Sequence, residues 1–181
     1  MKKKLWIPIV LLIVAFIVWI LMYTYPKHYK FTIQGVLYQL GEENSDFVKP
    51  DTIFVNGKMK KSIKGVRTFT GIIDIKGENI PVPEEHRQLK ITLSEYGEAV
   101  LFYTYNEKGQ PKHFAYGNIF INDDFSKLTI LKFTKDARNL DQSGFDGRSG
   151  YIISAPAQKR DDALEITNEL IHGSLKGDIL K

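Results

Sequence analysis

The apolar positions of this chain begin with one continuous run and then break into short, alternating groups. No residue from Leu5 to Tyr25 is charged, and the run is 21 residues long. A helix of that length, rising about 1.5 Å per residue, would span roughly 31 Å, close to the hydrocarbon thickness of a bilayer. The run therefore predicts a transmembrane helix that anchors the protein through residues 5–25.

The charges that flank the run predict its direction across the membrane. Three lysines occupy residues 2–4, whereas the positive flank after the run is weaker, with Lys27 and Lys30. Because the more positive flank of a spanning segment prefers the cytoplasm, we expect a single-pass protein of the cell membrane. Residues 1–4 would form a cytoplasmic stub, and residues 26–181 would form an extracytoplasmic domain.

A cleaved signal peptide is the alternative explanation of the same run. Signal peptides have an apolar core of about 7–15 residues that ends at a site of small residues. This run is longer, and it ends in bulky side chains from Leu21 to Tyr25. Trp6, Tyr23 and Tyr25 near its two ends also match the aromatic belts of membrane interfaces. We therefore predict an uncleaved signal-anchor.

After the anchor the chain changes to short runs rich in β-branched and aromatic residues, separated by Gly, Asn, Asp and Pro. This pattern is typical of antiparallel strands. The predicted strands are 30–40, 52–55, 58–64, 68–75, 88–93, 99–105, 112–121, 128–133 and 151–154. Most connections are short, which favours a meander. Asn56-Gly57, between two of these runs, predicts a type I′ hairpin turn.

Two features indicate that the sheet curls. Gly35, Gly71 and Gly117 lie inside predicted strands, where glycine commonly marks a bulge or a sharp bend. The strand at 112–121 is apolar on both faces, so it should be covered on two sides. We predict a mainly β (α+β) fold, namely a strongly curved or barrel-like antiparallel meander. In outline, about eight such strands followed by a helix resemble the lipocalin-type barrels.

One segment outside the membrane has helical periodicity. Its apolar stripe consists of Ala163, Leu164, Thr167, Leu170 and Ile171. This spacing predicts an amphipathic C-terminal helix at about residues 158–172. Asp161 and Asp162 suit its first turn because carboxylates interact favourably with the N-terminal end of the helix dipole. We expect Gly173 to take the left-handed conformation that ends many helices. Residues 135–150 are polar and predict a long loop, either functional or mobile.

Composition limits the chemistry that the outer domain can perform. The chain has no cysteine, so disulfides, thiolate metal sites and a cysteine nucleophile are excluded. Its net charge is +4, but without the lysines of residues 2–4 there are 22 basic and 21 acidic side chains. That balance does not indicate a nucleic-acid partner.

A basic run is the first candidate for contact with a partner or a polymer. Its members are Lys58, Lys60, Lys61, Lys64 and Arg67. On a hairpin, Lys58, Lys60 and Lys64 would project to one face, and the other two would project to the opposite face. Such a run suits anionic lipid headgroups or an anionic envelope polymer. The alternative is a hairpin whose lysines prevent pairing at a sheet edge.

The segment 141–149 is the second candidate, with Asp141, Asp146 and Arg148 as its charged members. Together with Ser143, the two aspartates offer oxygen ligands for Ca²⁺. However, Phe145 stands where a third ligand belongs, and no closing glutamate follows. We therefore expect a solvated Asp-Gly turn, and we predict no metal or cofactor.

Three functions remain open at this point. The first is a non-enzymatic binding or accessory module of the cell envelope, which contacts the bilayer through residues 5–25 and a further membrane or envelope component. The second is a carrier of a small apolar ligand, which needs an internal cavity. The third is an envelope polymer hydrolase, which needs two carboxylates roughly 5–10 Å apart. Its candidate acids are Glu84, Glu85, Asp141 and Asp146.

No catalytic residue is assigned by a motif. The histidines are scattered, and Ser149 lacks the surrounding pattern of a nucleophile elbow. Glu84–Arg87 follows Pro81 and Pro83, and we expect it to be a solvated connector. The balance of these observations is against an enzyme.

Overall fold

The structure, a computed structural model, describes residues 6–135, 143–175 and 177–181. The two α-helices are α1, Trp6–Thr24, and α2, Arg160–Ile171. The strands are β1 Lys27–Gln39, β2 Val48–Lys61, β3 Arg67–Ile75, β4 Leu89–Leu93, β5 Glu98–Glu107, β6 Gln110–Ile121, β7 Leu128–Lys132, β8 Thr134–Lys135, β9 Ser143–Gly144 and β10 Tyr151–Ala155. Short 3₁₀ turns lie at Glu42–Asn44 and Glu84–His86.

Helix α1 confirms the predicted apolar helix. It contains 19 residues, none of them buried by the rest of the protein. It is long and apolar enough to cross a membrane. Only Tyr25 and Pro26 separate its last residue from β1. The helix therefore leads almost directly into the β domain.

Eight strands form a single antiparallel sheet in the order β4-β3-β2-β1-β10-β7-β6-β5. This order is a meander that curls until β10 pairs with β1, with Val36 opposite Ser154 and Gln39 opposite Tyr151. Strands β4 and β5 stand at the two ends of the sheet. Across the turn between them, the Ser94 N–H donates to the Glu98 carbonyl at 2.8 Å. The result is a nearly closed barrel, which confirms the predicted fold class.

The predicted hairpin turn at Asn56-Gly57 is wrong, because both residues lie in the middle of β2. Asn56 pairs with Lys30 of β1 on one side and with Ile72 of β3 on the other. Pairing on both sides overrides the local turn preference of the dipeptide. Glycine is needed at position 57 for another reason, since a β-carbon there would lie 2.6 Å from the Phe69 ring.

The actual turn between β2 and β3 comes later, at residues 62–66. The Ser62 N–H donates to the Val66 carbonyl at 2.8 Å, and the Ser62 hydroxyl oxygen accepts from the Val66 N–H at 3.1 Å. Gly65 has a φ of 84°, a left-handed conformation that glycine adopts without steric cost. We call residues 60–66 the β2–β3 tip.

The glycines inside strands mark places where neighbouring backbones approach closely. A β-carbon on Gly117 would lie 2.3 Å from the Leu131 carbonyl oxygen. Beside it the pairing of β5 with β6 shifts, so that Leu101 faces Gly117 and Phe102 faces Ala115. Tyr116 is therefore the extra residue of a β-bulge, as the sequence predicted for this region.

Two buried clusters pack on opposite faces of the sheet. The first fills the barrel and receives side chains from all eight strands, including Leu37, Ile53, Phe69, Ile91, Leu101, Tyr116, Leu128 and Ile153. The second lies outside the barrel between the sheet and α2, and includes Val36, Tyr38, Phe120, Leu131, Ile152, Ala163 and Ile166. The alternation of Val36, Leu37 and Tyr38 shows how one strand serves both clusters.

Helix α2 confirms the predicted amphipathic helix, with Asp161 and Asp162 in its first turn. The role predicted for Gly173 is wrong. The left-handed glycine after α2 is Gly177, with a φ of 99°. At position 173 a glycine is needed for space, because the Tyr96 ring packs against it. A β-carbon there would lie 2.4 Å from that ring. After the helix, the chain folds back, and the Leu180 N–H donates to the Asn168 side chain at 2.8 Å.

The segment 135–150, predicted as a loop, contains part of a short two-stranded ladder. Thr134 of β8 pairs with Gly144 of β9, and Lys135 pairs with Ser143. Residues 136–142 lie outside the described residues, so the prediction for that part of the segment remains a prediction.

Candidate functional site

The strand directions place one end of the barrel beside α1. The turns at 62–66, 94–97 and 122–127 all lie at this end, together with the first residues of β1. We call it the proximal end. The opposite, distal end carries the segments 40–47 and 76–88 and the described residues 133–135 and 143–150.

Phe125 closes the barrel at the proximal end. Its ring centroid lies 5.2 Å from that of Tyr29 and 5.6 Å from those of Phe31 and Phe69. Phe125 has a φ of 64°, which is uncommon for a bulky residue and indicates local backbone strain. The turn holds that conformation through polar contacts, for example from the Lys127 N–H to the Asn122 side-chain oxygen at 3.0 Å. The ring is buried among the aromatic side chains.

A cleft of about 330 Å³ lies between the end of α1 and the rim of the proximal end. We call it the proximal cleft. It is lined by Met22, Tyr23, Tyr25, Lys27, Tyr29, Met59, Lys61, Arg67 and Asp123. The lining therefore combines the last residues of the apolar helix with three cationic side chains and one carboxylate.

Cross-strand pairing brings two of these cations together. Lys61 is the last residue of β2 and pairs with Arg67, the first residue of β3. The Lys61 ammonium lies 5.0 Å from the centroid of the Tyr23 ring, a cation–π contact between the barrel and α1. Arg67 is directed by the turn at 122–127, because its guanidinium donates to the Asn122 carbonyl at 3.2 Å and pairs with Asp123 at 2.9 Å.

The basic run predicted from sequence is thus divided by the fold. Lys61 and Arg67 line the proximal cleft, whereas Lys58 and Lys60 are exposed along β2 on either side of the buried Met59. Lys64 is exposed in the turn and lines an adjoining pocket of about 310 Å³ that also includes Lys61 and Arg67. Sequence reasoning identified these residues but missed Tyr23, Tyr25 and Lys27 as their neighbours.

At the distal end, residues 76–88 close the barrel. Ile80 and Val82 of this segment are buried in the interior cluster. Arg87 fixes them, because its guanidinium donates to the Val82 carbonyl at 2.9 Å and to the Ile80 carbonyl at 3.1 Å. The same side chain pairs with Asp74 at 3.0 Å. The prediction of a solvated connector is therefore wrong for Arg87, which holds this segment in place.

A small set of buried and half-buried polar groups lies next to this distal segment. Lys132 pairs with Glu78, and the Asp51 carboxylate accepts from the Gly77 N–H at 2.8 Å. Burial, and next the neighbouring Glu78 charge, raise the pKa of the Tyr116 hydroxyl far above its usual value. These contacts link the segment to β2, β6 and β7, and they place Glu78 in an ion pair.

The second candidate from the sequence is the segment 141–149, of which residues 146–149 form a turn held by the Asp146 carboxylate. The Asp146 carboxylate accepts from the Arg148 N–H at 2.9 Å and from the Ser149 hydroxyl at 2.6 Å. These hydrogen bonds, led by the one from Ser149, lower the pKa of Asp146. Arg148 is exposed, and Asp141 lies outside the described residues.

Of the acids named for a hydrolase, the three that the structure describes lie on two separate elements. Glu84 and Glu85 lie on the 3₁₀ turn at the distal end, whereas Asp146 caps its own turn. Within the described residues, no group of three or more histidine, aspartate and glutamate side chains is arranged to hold a metal ion. The proximal cleft brings together Lys61 and Arg67 of the predicted contact residues, and the adjoining pocket adds Lys64.

Comparison with known proteins adds no relative. No protein family model matches the chain, and neither the curated proteins nor the solved structures contain a significant match.

Proposed function

We propose that this protein is a membrane-anchored, non-enzymatic accessory or binding module of the cell envelope, whose β domain stands against the outer surface of the membrane. The observation that carries the proposal is the direct connection of α1 to the barrel. Only two residues separate them, and Lys61 contacts Tyr23 near the end of the helix. Such a short connection would keep the barrel at the membrane surface rather than at a distance from it.

The apolar packing inside the barrel supports this function over a ligand carrier. Carriers enclose a cavity, but here side chains from all eight strands meet in one buried cluster. Phe125 closes one end, and Ile80 and Val82 close the other. This packing supports a role in which the interior stabilises the fold and the outer surface of the domain recognises a partner.

The orientation can be tested by cysteine labelling, since the natural chain contains no cysteine. We expect Ser45→Cys, at an exposed site in the distal segment, to react with a membrane-impermeant maleimide on intact cells. Lys3→Cys should react only after the cells are permeabilised. The opposite pattern would reverse the proposed direction, and loss of the first residues from the mature chain would indicate a cleaved signal peptide.

The accessory role needs a second test, which is crosslinking in intact cells. The full-length protein should capture one specific membrane or envelope component. A variant with α1 replaced by an unrelated spanning helix separates recognition by the domain from recognition by the anchor. A different outcome is that the full-length protein and the variant both capture only neighbouring proteins, in proportion to the abundance of those proteins. In that case the proposal of an accessory module fails.

A further inference from the structure

We propose that the proximal cleft binds the phosphate of an anionic phospholipid headgroup at the membrane surface. This inference rests on the proposed anchoring of the protein through α1, but it adds a defined ligand class and site. A negatively charged lipid such as phosphatidylglycerol is the chemistry that fits the cleft. It would hold the barrel in one orientation on the bilayer.

The depth of the cleft argues for a lipid rather than a soluble anion. Met22 and Tyr23 belong to the last turn of the apolar helix, and Tyr25 follows the helix directly. A helix of 19 residues spans about 28 Å, so its end reaches the boundary between the hydrocarbon and the headgroups. Tyrosines favour that boundary. A ligand in this cleft is therefore at the level of the lipid phosphates.

The charge of the cleft suits a phosphate. Lys27, Lys61 and Arg67 contribute three positive charges, against one negative charge from Asp123. Asp123 pairs with the guanidinium of Arg67, whose side chain is only 13% exposed, and this contact helps to fix the guanidinium in position. Lysine ammonium groups bind phosphate as point charges without a strict geometry. Two lysines beside a fixed guanidinium thus form a site with a net positive charge.

Asp123 is the one acid in the lining of the cleft, and three further acids of the proximal end do not line it. Glu95, Asp124 and Glu169 line a separate pocket, which shares Arg67 and Asp123 with the cleft. That pocket contains no residue of α1. The positive half of the proximal end is therefore the half beside the helix, where an anionic membrane surface would attract it.

The β2–β3 tip carries apolar side chains that fit the same surface. Ile63 is 69% exposed and Val66 is 46% exposed, and both lie among the lysines of the tip. In water these exposed apolar groups cost free energy, whereas in the headgroup region they can be buried. Apolar side chains flanked by Lys60, Lys61 and Lys64 are typical of segments that lie in a membrane interface.

The test uses the full-length protein in mixed micelles that contain equal amounts of phosphatidylglycerol and phosphatidylcholine, examined by native mass spectrometry. We expect retained phosphatidylglycerol adducts to exceed phosphatidylcholine adducts. The double variant Lys27→Gln/Lys61→Gln should lower phosphatidylglycerol retention, by about fivefold per lysine if each contributes the usual attraction of a lysine near an anionic surface. Lys27→Arg/Lys61→Arg should keep the preference because the charges remain.

The matched control is Lys49→Gln/Lys112→Gln, which removes the same charge from exposed positions toward the distal end. It should leave lipid retention unchanged. Equal losses in the control and in the cleft variant would show a general charge effect and overturn the proposed site. Binding of sn-glycerol 1-phosphate at millimolar concentration, measured in micelles that contain no lipid, would show that a free phosphate is sufficient. That result would overturn the assignment to a lipid.

A separate readout distinguishes failure of the site from failure of the anchor. Trp19 of α1 is exposed on the helix, so brominated phosphatidylcholine in vesicles should quench its fluorescence once the helix is inserted. Quenching without preference for the anionic lipid would overturn only the headgroup site. Absence of quenching would overturn the anchoring and the site together.

Discussion

The hydroxyl of Tyr38 on β1 lies 2.8 Å from the Thr167 hydroxyl on α2, although 129 residues of chain separate them. Thr167 also contacts the Ser154 hydroxyl at 2.6 Å and the Thr129 hydroxyl at 3.1 Å. It donates to the Ala163 carbonyl at 2.8 Å. These hydroxyls are fully buried, so each needs its partners. One threonine thus joins the helix to three strands of the barrel.

Replacing Thr167 with valine should destabilise the packing of α2 on the barrel. Valine has nearly the same shape, but it leaves the buried hydroxyls of Tyr38 and Ser154 without one of their partners. A buried polar group that loses its hydrogen bond costs about 1–3 kcal/mol. We expect the free energy of unfolding of the full-length protein in detergent, measured by urea titration, to fall by that amount.

Thr70→Val is the matched control, since Thr70 is an exposed strand residue of β3. Valine is favourable in strands, so this change should alter stability by less than about 0.5 kcal/mol. Similar losses in both variants would contradict a special role for the buried hydroxyls.

Stability should fall at alkaline pH because buried tyrosines resist ionisation. Burial is the main cause that raises the pKa of Tyr38 to about 12 and that of Tyr103 to about 12. An unfolded tyrosine has a pKa of about 10. Between pH 10 and 12 the folded state therefore binds more protons than the unfolded state. The stabilisation present below pH 10 is lost through that range, by about 1.4 kcal/mol per pH unit for each tyrosine.

Two measurements check this prediction. Tyrosinate absorbance should show a class of tyrosines that ionises together with the loss of β-type circular dichroism. Tyr38→Phe should make the decline in stability between pH 10 and 12 shallower, because it removes one of these groups. Ionisation of all tyrosines near pH 10 with the fold intact would show that the two hydroxyls are accessible to solvent.

The main elements could be predicted from sequence because their patterns are local. The apolar run of α1, the alternation in most strands and the stripe of α2 each report the periodicity of one element. The hairpin predicted at Asn56-Gly57 was wrong for the same reason. The turn preference of this dipeptide is local, whereas its pairing with β1 and β3 depends on the assembled sheet. The need for a glycine opposite the Phe69 ring is a property of the assembled sheet.

The candidate site could be predicted only in part. The sequence showed the basic run, but the contact of Lys61 with Tyr23 depends on how the hairpin returns to the end of α1. Arg87 carried no signal at all, because the Ile80 and Val82 carbonyls that it binds become neighbours only when the segment folds over the barrel end. Such contacts form only in the folded structure, so the spacing of residues along the chain does not predict them.

Removing the Arg87 guanidinium should loosen the segment that closes the distal end. Arg87→Met keeps much of the apolar stem but removes the donor to the Val82 carbonyl and to Asp74, and one of the two donors to the Ile80 carbonyl. We expect limited proteolysis to cut within residues 76–88 of the variant under conditions in which the natural protein is intact. Lys76→Met, at an exposed site in the same segment, should not increase cutting. Equal resistance of Arg87→Met would contradict the role assigned to this arginine.

Gly117 should tolerate no side chain, because its backbone lies against β7 beside the bulge of β6. A β-carbon would be 2.3 Å from the Leu131 carbonyl oxygen, so Gly117→Val must push the two strands apart. Overpacking of this kind costs about 1–3 kcal/mol or more, and the melting temperature should fall by several degrees. Gly147→Val is the control, since no atom lies within 4 Å of its added β-carbon. An unchanged melting temperature for Gly117→Val would refute the close approach of β6 and β7.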